Sequence, residues 1–308
     1  MKEGACMKHA DFNMKEHGFV GHLSEPDGGS DRAVIIVMGG EQSMLPGTVF
    51  ADRFADYGIT GLAVSLFGAE GLPDSPDNIP VDMFAYAAEY LRKEKHISRI
   101  SIYGQSMGSI FATLAAQCVG GFENLILVSP THVPFEGTLS DRRTTTGRSV
   151  ATWQGKDIPF VKPDFLSENI KRYSRHRAAS CSVTGMWKAF YKAYQDREAV
   201  RKAWLHPERS FARILLIAGE MDEMWPSSLS VMAINAYLVK KNYPKDFKVV
   251  IYPKGSHLCG LVPNREREKK LYAGLPFIGF VYRSFGLYLR DNMKYLEQCE
   301  HEIIEWLA

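Results

Sequence analysis

The chain has 308 residues, of which 45% are hydrophobic and 23% charged, a composition typical of globular proteins. Its 37 basic and 35 acidic residues give a formal net charge of +2, and so balanced a charge argues against nucleic acid or an acidic membrane surface as the main partner. The length suits one large domain with an insertion or two small domains, and no stretch of sequence approaches the roughly 20 apolar residues that cross a bilayer.

The cysteines and the first 18 residues give an indication of the cellular compartment. Five cysteines are scattered without a C-x-x-C pair, and their odd number argues against both a disulfide framework and a zinc site. Residues 1–18 carry charges but lack the apolar stretch of a signal peptide. The sequence contains no glycine-rich phosphate loop, flavin signature or metal-ligand cluster. These features predict a reduced, cytoplasmic protein without cofactor or metal, and they leave the oligomeric state open.

Apolar runs alternate with helical segments along most of the chain. Helices are expected at 46–57, 81–93 and 106–119. Strands are expected at 18–23, 33–40, 59–67, 99–105, 124–130, 213–220 and 247–253. Because most of these strands are continuous apolar runs, they predict an α/β fold with a mostly parallel, doubly wound sheet and helices on both faces.

One segment interrupts this alternation. Residues 131–210 are polar and aromatic and contain at least one helix, which indicates an insertion at one edge of the sheet. Ligands of such sheets bind outside the carboxyl ends of the strands, so the insertion could cap a pocket there. It could equally be a peripheral element that completes the core. We expect a single domain over 1–308, with the insertion counted inside it.

A short glycine-flanked motif links a predicted strand to a predicted helix. Gly104 and Gly108 flank Ser106 in a G-x-S-x-G sequence, directly after an apolar run and directly before a helix rich in small residues. This context is typical of a nucleophile elbow, in which a tight turn exposes the serine hydroxyl at a helix N-terminus. The motif predicts the α/β-hydrolase fold with Ser106 as nucleophile; the alternative is a Gly-Ser turn without chemistry.

A serine hydroxyl needs a base to remove its proton, and the fold places an acid and then a histidine after later strands. Asp222 follows the apolar run RILLIAGE, and His257 follows FKVVIYP. They are therefore the predicted acid and base. Glu220 and Glu223 flank the aspartate, and either could be the acid instead. His257 is favoured because it follows the terminal strand; the other histidines possible in principle are His96, His132, His176 and His206.

Stabilising the negative charge of a tetrahedral intermediate requires two backbone N–H donors. The first is expected from Met107, the residue after the nucleophile. The second is expected from the loop after the 33–40 run, where Gly40 and Glu41 are both possible and the sequence does not decide between them.

Several stretches resemble the catalytic domain shared by acyl-CoA thioesterases and bile acid-CoA:amino acid N-acyltransferases. They include AVIIVMGGEQSMLPG, YGQSMG, TWQGKDIPFVKPDF, ILLIAGEMDEMWPSS and YPKGSHL, and together they span most of residues 30–260 in the right order. The resemblance implies an α/β-hydrolase with a Ser/Cys–Asp–His triad that falls on Ser106, Asp222 and His257. It also implies acyl transfer from a CoA thioester to water or to an amine, and serine rather than cysteine as nucleophile fits hydrolysis better than amide formation.

The sequence therefore predicts a hydrolase of lipid metabolism that cleaves a small acyl thioester or ester through an acyl-enzyme, most simply an acyl-CoA thioesterase. Three alternatives remain. The chain could be a carboxylesterase of the dienelactone-hydrolase-like group, an acyl-CoA:amino acid N-acyltransferase, or a binding module that keeps the fold without catalysis.

Overall fold

The computed structural model describes residues 7–141, 144–164 and 186–308. Its strands are β1 Met7–Phe12, β2 Gly21–Pro26, β3 Arg32–Val37, β4 Thr60–Val64, β5 Ile79–Pro80, β6 Arg99–Gln105, β7 Asn124–Val128, β8 Glu136–Thr138, β9 Thr145–Ser149, β10 Ala151–Trp153, β11 Lys156–Asp157, β12 Arg213–Gly219 and β13 Phe247–Tyr252. Its α-helices are α1 Met14–His17, α2 Leu45–Asp56, α3 Met83–Lys93, α4 Gly108–Cys118, α5 Met186–Ala193, α6 Arg197–Ala203, α7 Ser227–Lys240, α8 Lys269–Gly274, α9 Arg283–Leu287 and α10 Leu289–Leu307. Two 3₁₀ helices cover Pro207–Ser210 and Leu275–Phe280.

Eight of these strands form a central sheet in the order β1-β2-β4-β3-β6-β7-β12-β13. The pairings from β4 through to β13 are parallel, whereas β1–β2 and β2–β4 are antiparallel. The strand order reverses around β3, which is the position where sheets of this class bind ligands. The predicted α/β fold with a mostly parallel sheet is confirmed.

Both faces of the sheet are buried, as the continuous apolar runs predict. Within β3, Val34 and Ile36 join the cluster that contains buried residues of α2 and α10. Ile35 and Val37 point to the opposite face and join the cluster that contains buried residues of α3, α4 and α7. Because side chains alternate along a strand, a single apolar run supplies the core on both sides.

Two elements at the ends of the described chain were not expected from the sequence. Strand β1 is largely exposed and pairs only with β2 at the sheet edge, so it lacks an apolar run. The first predicted strand, 18–23, lies instead at Gly21–Pro26. Helix α10 buries only one stripe, at Asn292, Leu296, Cys299, Glu300, Ile303 and Leu307.

The described part of residues 131–210 forms small elements of its own. Strands β8 and β9 pair with each other, and β10 and β11 form a three-stranded sheet with β5, which lies outside this segment. Aromatic contacts attach α5 to the main body, with ring centroids 5.3 Å apart for Phe135 and Phe190 and 5.2 Å apart for Phe190 and Trp225. Residues 165–185, which include the basic run 171–177, lie outside the described residues.

Across the part of the chain that the structure describes, no helix is both long enough and apolar enough to span a membrane.

Candidate active site

The turn between β6 and α4 holds Ser106 in a left-handed conformation with φ of 57°. Glycine is required on both sides of it. A Cβ atom on Gly104 would lie 2.6 Å from the Cβ of Ala112, and one on Gly108 would lie 2.1 Å from the carbonyl oxygen of Val37. Helix α4 therefore lies so close to β6 and to the end of β3 that only glycine fits at positions 104 and 108. The hydroxyl of Ser106 lies just ahead of the N-terminus of this helix.

His257 lies between the serine and an aspartate. Its Nε2 atom is 2.8 Å from Oγ of Ser106, and its Nδ1 atom is 2.8 Å from Oδ2 of Asp222. The side chains of His257 and Asp222 are both buried. A carboxylate at Nδ1 keeps the proton on that nitrogen, so Nε2 is free to accept the hydrogen of the serine hydroxyl.

The structure distinguishes the predicted acid, Asp222, from the two flanking glutamates that the sequence left possible. Asp222 is fixed towards the histidine because its Oδ1 atom accepts hydrogen bonds from the backbone N–H groups of Met224 (2.8 Å) and Trp225 (3.4 Å). Glu223 instead accepts a hydrogen bond from the backbone N–H of Ser284 at 3.0 Å, and burial raises the pKa of its carboxyl. Glu220 is exposed. Of these three carboxylates, only Asp222 contacts His257 in the structure.

The other described histidines lie elsewhere. His132 contacts the hydroxyl of Ser230, and burial lowers its pKa to about 4. His206 pairs with Glu208 at 3.0 Å, and His96 is exposed. His176 lies outside the described residues.

Three further residues hold the histidine, and the sequence did not single them out. The ring of Trp225 meets His257 edge-on at 5.0 Å, and the ring of Tyr282 stacks on it at 5.5 Å. The hydroxyl of Ser129 donates to the carbonyl of His257 at 2.6 Å, while the indole N–H of Trp225 donates to the carbonyl of Ser129 at 3.0 Å. For Ser129 the sequence did hold a signal, because this residue directly follows β7, the strand that pairs with β6 beside the elbow.

The loop after β3 faces the serine. A Cβ atom on Gly39 would lie 2.9 Å from the Cβ of Ser106 and 3.1 Å from a carboxylate oxygen of Glu41. The backbone N–H groups of Met107, Gly40 and Glu41 donate to no acceptor within the described ranges. The role of these three amides as oxyanion donors stays a prediction; Gly40 and Glu41 line the same cavity as Ser106.

A cavity of about 600 Å³ opens at Ser106 and His257. It is mainly apolar, with walls that include Leu45, Val49, Phe50, Leu271, Leu275 and Ile278. The segment that covers it follows His257 and comprises α8 and the 3₁₀ helix Leu275–Phe280, whereas no described residue of 131–210 lines it. Cys259, also at the cavity, is buried, which raises the pKa of its thiol to about 12 and leaves it a packing residue.

Residues 79–263 match the sequence model of the family described as BAAT / Acyl-CoA thioester hydrolase C terminal, which is more than half of the chain. The chain belongs to this family. The matched range contains Ser106, Asp222 and His257. No curated protein sequence matches the chain significantly.

Solved structures share the fold of this family member. A mutant of the esterase rPPE is 15% identical, with a TM-score of 0.50, and the match covers 95% of this chain and 84% of that chain. TT1662 from Thermus thermophilus is 14% identical, also with a TM-score of 0.50, over 82% of this chain and 91% of that chain. Together with the strand order, these likenesses confirm the α/β-hydrolase fold, and the family makes the chain a hydrolase of that type.

Proposed function

We propose that the chain hydrolyses an acyl thioester, and in its most specific form an acyl-CoA, through an acyl-enzyme on Ser106. The observation that carries the proposal is the pair of contacts from Ser106 Oγ to His257 and from His257 to Asp222, each 2.8 Å long, beside an apolar cavity that Ser106 and His257 line. Family membership supports the thioester as the reacting group.

In the first half of the reaction, Oγ of Ser106 attacks the carbonyl carbon of the substrate as its proton passes to Nε2 of His257. The carbonyl oxygen becomes an oxyanion and accepts hydrogen bonds from the N–H of Met107 and from that of Gly40 or Glu41. Collapse of this intermediate breaks the bond to sulfur. The imidazolium returns its proton to the leaving thiolate, which departs as a free thiol.

In the second half, His257 removes a proton from a water molecule as that water attacks the acyl-serine. A second tetrahedral intermediate forms and collapses, and the proton returns to Oγ of Ser106. The products are a carboxylic acid and the regenerated enzyme. Throughout both halves Asp222 stays ionised, holds the imidazole in position and stabilises its charged form.

The cavity supports an acyl group as the part of the substrate that is bound. Its walls near the serine are mainly aliphatic, and burial of each methylene group contributes about 0.8 kcal/mol. An acyl chain placed there would leave the thiol portion of the substrate towards solvent.

A simple ester is the second candidate substrate, because the same triad and the same apolar cavity accommodate an alcohol leaving group. An amine acceptor, which would make the chain an N-acyltransferase, remains a third. The acyl-enzyme is common to all of them, so the leaving group and the acceptor have to be separated by experiment.

The test is mass spectrometry of the intact protein after brief mixing with a panel of acyl-CoA thioesters and nitrophenyl esters, with Ser106→Ala in parallel. We expect an acyl adduct from the thioesters that maps to Ser106 and is missing in the variant. An adduct from the esters alone would move the chain to the carboxylesterase group. An adduct that survives in Ser106→Ala would contradict the mechanism, and amide formation when glycine or taurine is added would identify an acyltransferase.

A further inference from the structure

A cluster of metal-binding residue types lies at the edge of the sheet where β1 and β2 pair. His9 of β1, His22 of β2 and Asp52 of α2 each place one ligand atom within 4.8 Å of the others. In the antiparallel register His9 is opposite Ser24, and Asp11 is opposite His22, so these four residues share one face of the hairpin. Helix α2 packs on that face and adds its aspartate.

The two nitrogen atoms of His22 have different surroundings. Nδ1 is 2.6 Å from a carboxylate oxygen of Asp11, which keeps a proton on Nδ1 and therefore leaves the lone pair on Nε2. Nε2 is buried and has no hydrogen-bond partner among the described residues. A buried polar atom without a partner costs about 1–3 kcal/mol, so an acceptor in this position calls for a ligand. A carboxylate behind a histidine is also the usual arrangement around histidines that bind metal ions.

The remaining ligands are arranged for the same ion. Nδ1 of His9 is 3.6 Å from Oδ1 of Asp52, and the hydroxyl of Ser24 donates to that oxygen at 2.6 Å, which orients the carboxylate. Two ligands about 2.1 Å from a tetrahedral ion are roughly 3.4 Å apart, so this pair needs only a small adjustment to bind one.

We propose that His9, His22 and Asp52 bind a divalent transition-metal ion of the zinc class, with water completing its coordination. Two imidazoles and one carboxylate favour zinc and its neighbours over magnesium or calcium, which prefer oxygen ligands. The ion would join the β1–β2 hairpin to α2 and so stabilise an edge of the sheet. The three ligands come from three separate elements, which is why no ligand spacing in the sequence indicated a metal.

One cation lies close to this site. Nη2 of Arg267 is 3.9 Å from Oδ2 of Asp52, while its Nη1 donates to Asp56 at 2.6 Å. Because a metal ion and the guanidinium would both be attracted to Asp52, Arg267 is expected to lower the metal affinity.

The experiment is titration of the metal-free 308-residue chain with Co²⁺, followed by the visible d–d absorption, and with Zn²⁺, followed by calorimetry and the melting temperature. We expect one ion per chain and a melting temperature that rises with Zn²⁺. His22→Gln and Asp52→Asn should each weaken binding at least tenfold, and Arg267→Gln should strengthen it. His96→Asn is the control, because this exposed histidine has φ of 57°, which asparagine tolerates, and its loss should change nothing.

Asp11→Asn is the milder variant if a ligand substitution prevents folding. It keeps all three ligands but removes the carboxylate behind His22, and a roughly tenfold loss of affinity is expected. Absence of binding in the wild-type protein, or equal binding in wild type, His22→Gln and Asp11→Asn, would overturn the proposal. None of these readouts uses hydrolase activity, so the outcome is independent of the proposed function.

Discussion

Ser106 occupies a conformation that costs a non-glycine residue about 1–2 kcal/mol, and the surrounding turn compensates for it. Its backbone N–H donates to the carbonyl of Val128 at 2.9 Å, and its side chain faces Gly39. The strain directs the hydroxyl away from the sheet and towards Nε2 of His257. The position of the hydroxyl is therefore a product of local backbone geometry, whereas its reactivity depends on His257.

Amide substitution should lower kcat strongly at Asp222 and hardly at all at the neighbouring Glu223. Asp222→Asn should lower kcat by on the order of 10³-fold or more, because an amide at this position no longer stabilises the charged imidazole or its tautomer. Glu223→Gln is the matched control and should leave kcat within a few-fold, since an amide oxygen can still accept the hydrogen bond from Ser284. Steady-state kinetics on both variants gives the answer, and a larger loss in Glu223→Gln would make Glu223 the acid.

The residues of the candidate triad differ in how well they could be predicted from the sequence. Ser106 and His257 could be chosen because each follows an apolar run in the chain order that the fold prescribes. Asp222 was the predicted acid, but Glu220 and Glu223 stayed possible, since all three lie close together after the same apolar run. Only the backbone path decides which carboxylate turns towards the imidazole, and that path depends on the N–H groups of the following residues.

At the scale of elements, the junction of β3, β6 and α4 leaves no room for a side chain at Gly108. We expect Gly108→Ala to destabilise the protein by about 3 kcal/mol or more, because the added methyl group would lie 2.1 Å from the carbonyl oxygen of Val37. Gly28→Ala, in a turn with nothing within 4 Å, should stay within about 0.5 kcal/mol of wild type. Urea unfolding of the two variants tests this, and equal stabilities would mean that the junction adjusts freely.

The helical segment after His257 forms a wall of the cavity, and its side chains should set the length of acyl chain that fits. Ile278→Trp should reduce kcat/KM for long acyl chains at least tenfold and spare short ones, because the larger ring fills space inside the cavity. Leu287→Trp, at the end of α9 shortly after that segment and 64% exposed, is the control and should leave the profile unchanged. The measurement is kcat/KM across a series of acyl lengths, and a parallel drop at every length would place the acyl group elsewhere.

The strands with two buried faces were predicted from the sequence, whereas the edge strand β1 and the amphipathic helix α10 were not. The parallel strands are continuous apolar runs, and each was expected within a few residues of where it lies. Strand β1 at the sheet edge has charged or polar side chains at three of its six positions, and α10 alternates buried and exposed positions over its whole length. Residues 131–210 could have capped the cavity or only completed the core; none of their described residues lines it, and its wall includes residues of α2 and of the helical segment after His257. Tertiary packing, rather than local pattern, decides which segment lies beside a pocket.

For the molecule as a whole, a buried ionic contact connects the C-terminal helix to the body. Glu300 of α10 accepts hydrogen bonds from Arg53 of α2 (3.1 Å), from the hydroxyl of Tyr57 (2.6 Å) and from the N–H of Val262 (2.9 Å). The contact spans α2, α10 and the loop beyond His257. It supports the proposal that the chain unfolds as a single cooperative domain.

Glu300→Gln should destabilise the protein by about 2–4 kcal/mol, because it removes one of the two carboxylates that pair with the largely buried guanidinium of Arg53 and leaves only Asp56. Glu302→Gln provides the comparison: this residue pairs with Lys248 near the surface, where ion pairs contribute about 0–1 kcal/mol. Denaturant unfolding followed by both fluorescence and circular dichroism should give one coincident transition. Two separate transitions would contradict the single domain.

The three residues of the candidate site are far apart along the chain: 151 positions separate Ser106 from His257, and 35 separate Asp222 from His257. They meet only when β6, β12 and β13 have taken their places in one sheet. Contacts between such distant residues form slowly during folding, because long loops must close first. Recovery of hydrolysis after dilution from denaturant should therefore lag behind the return of helical structure, which makes the enzyme's activity a marker for the last stage of its own folding.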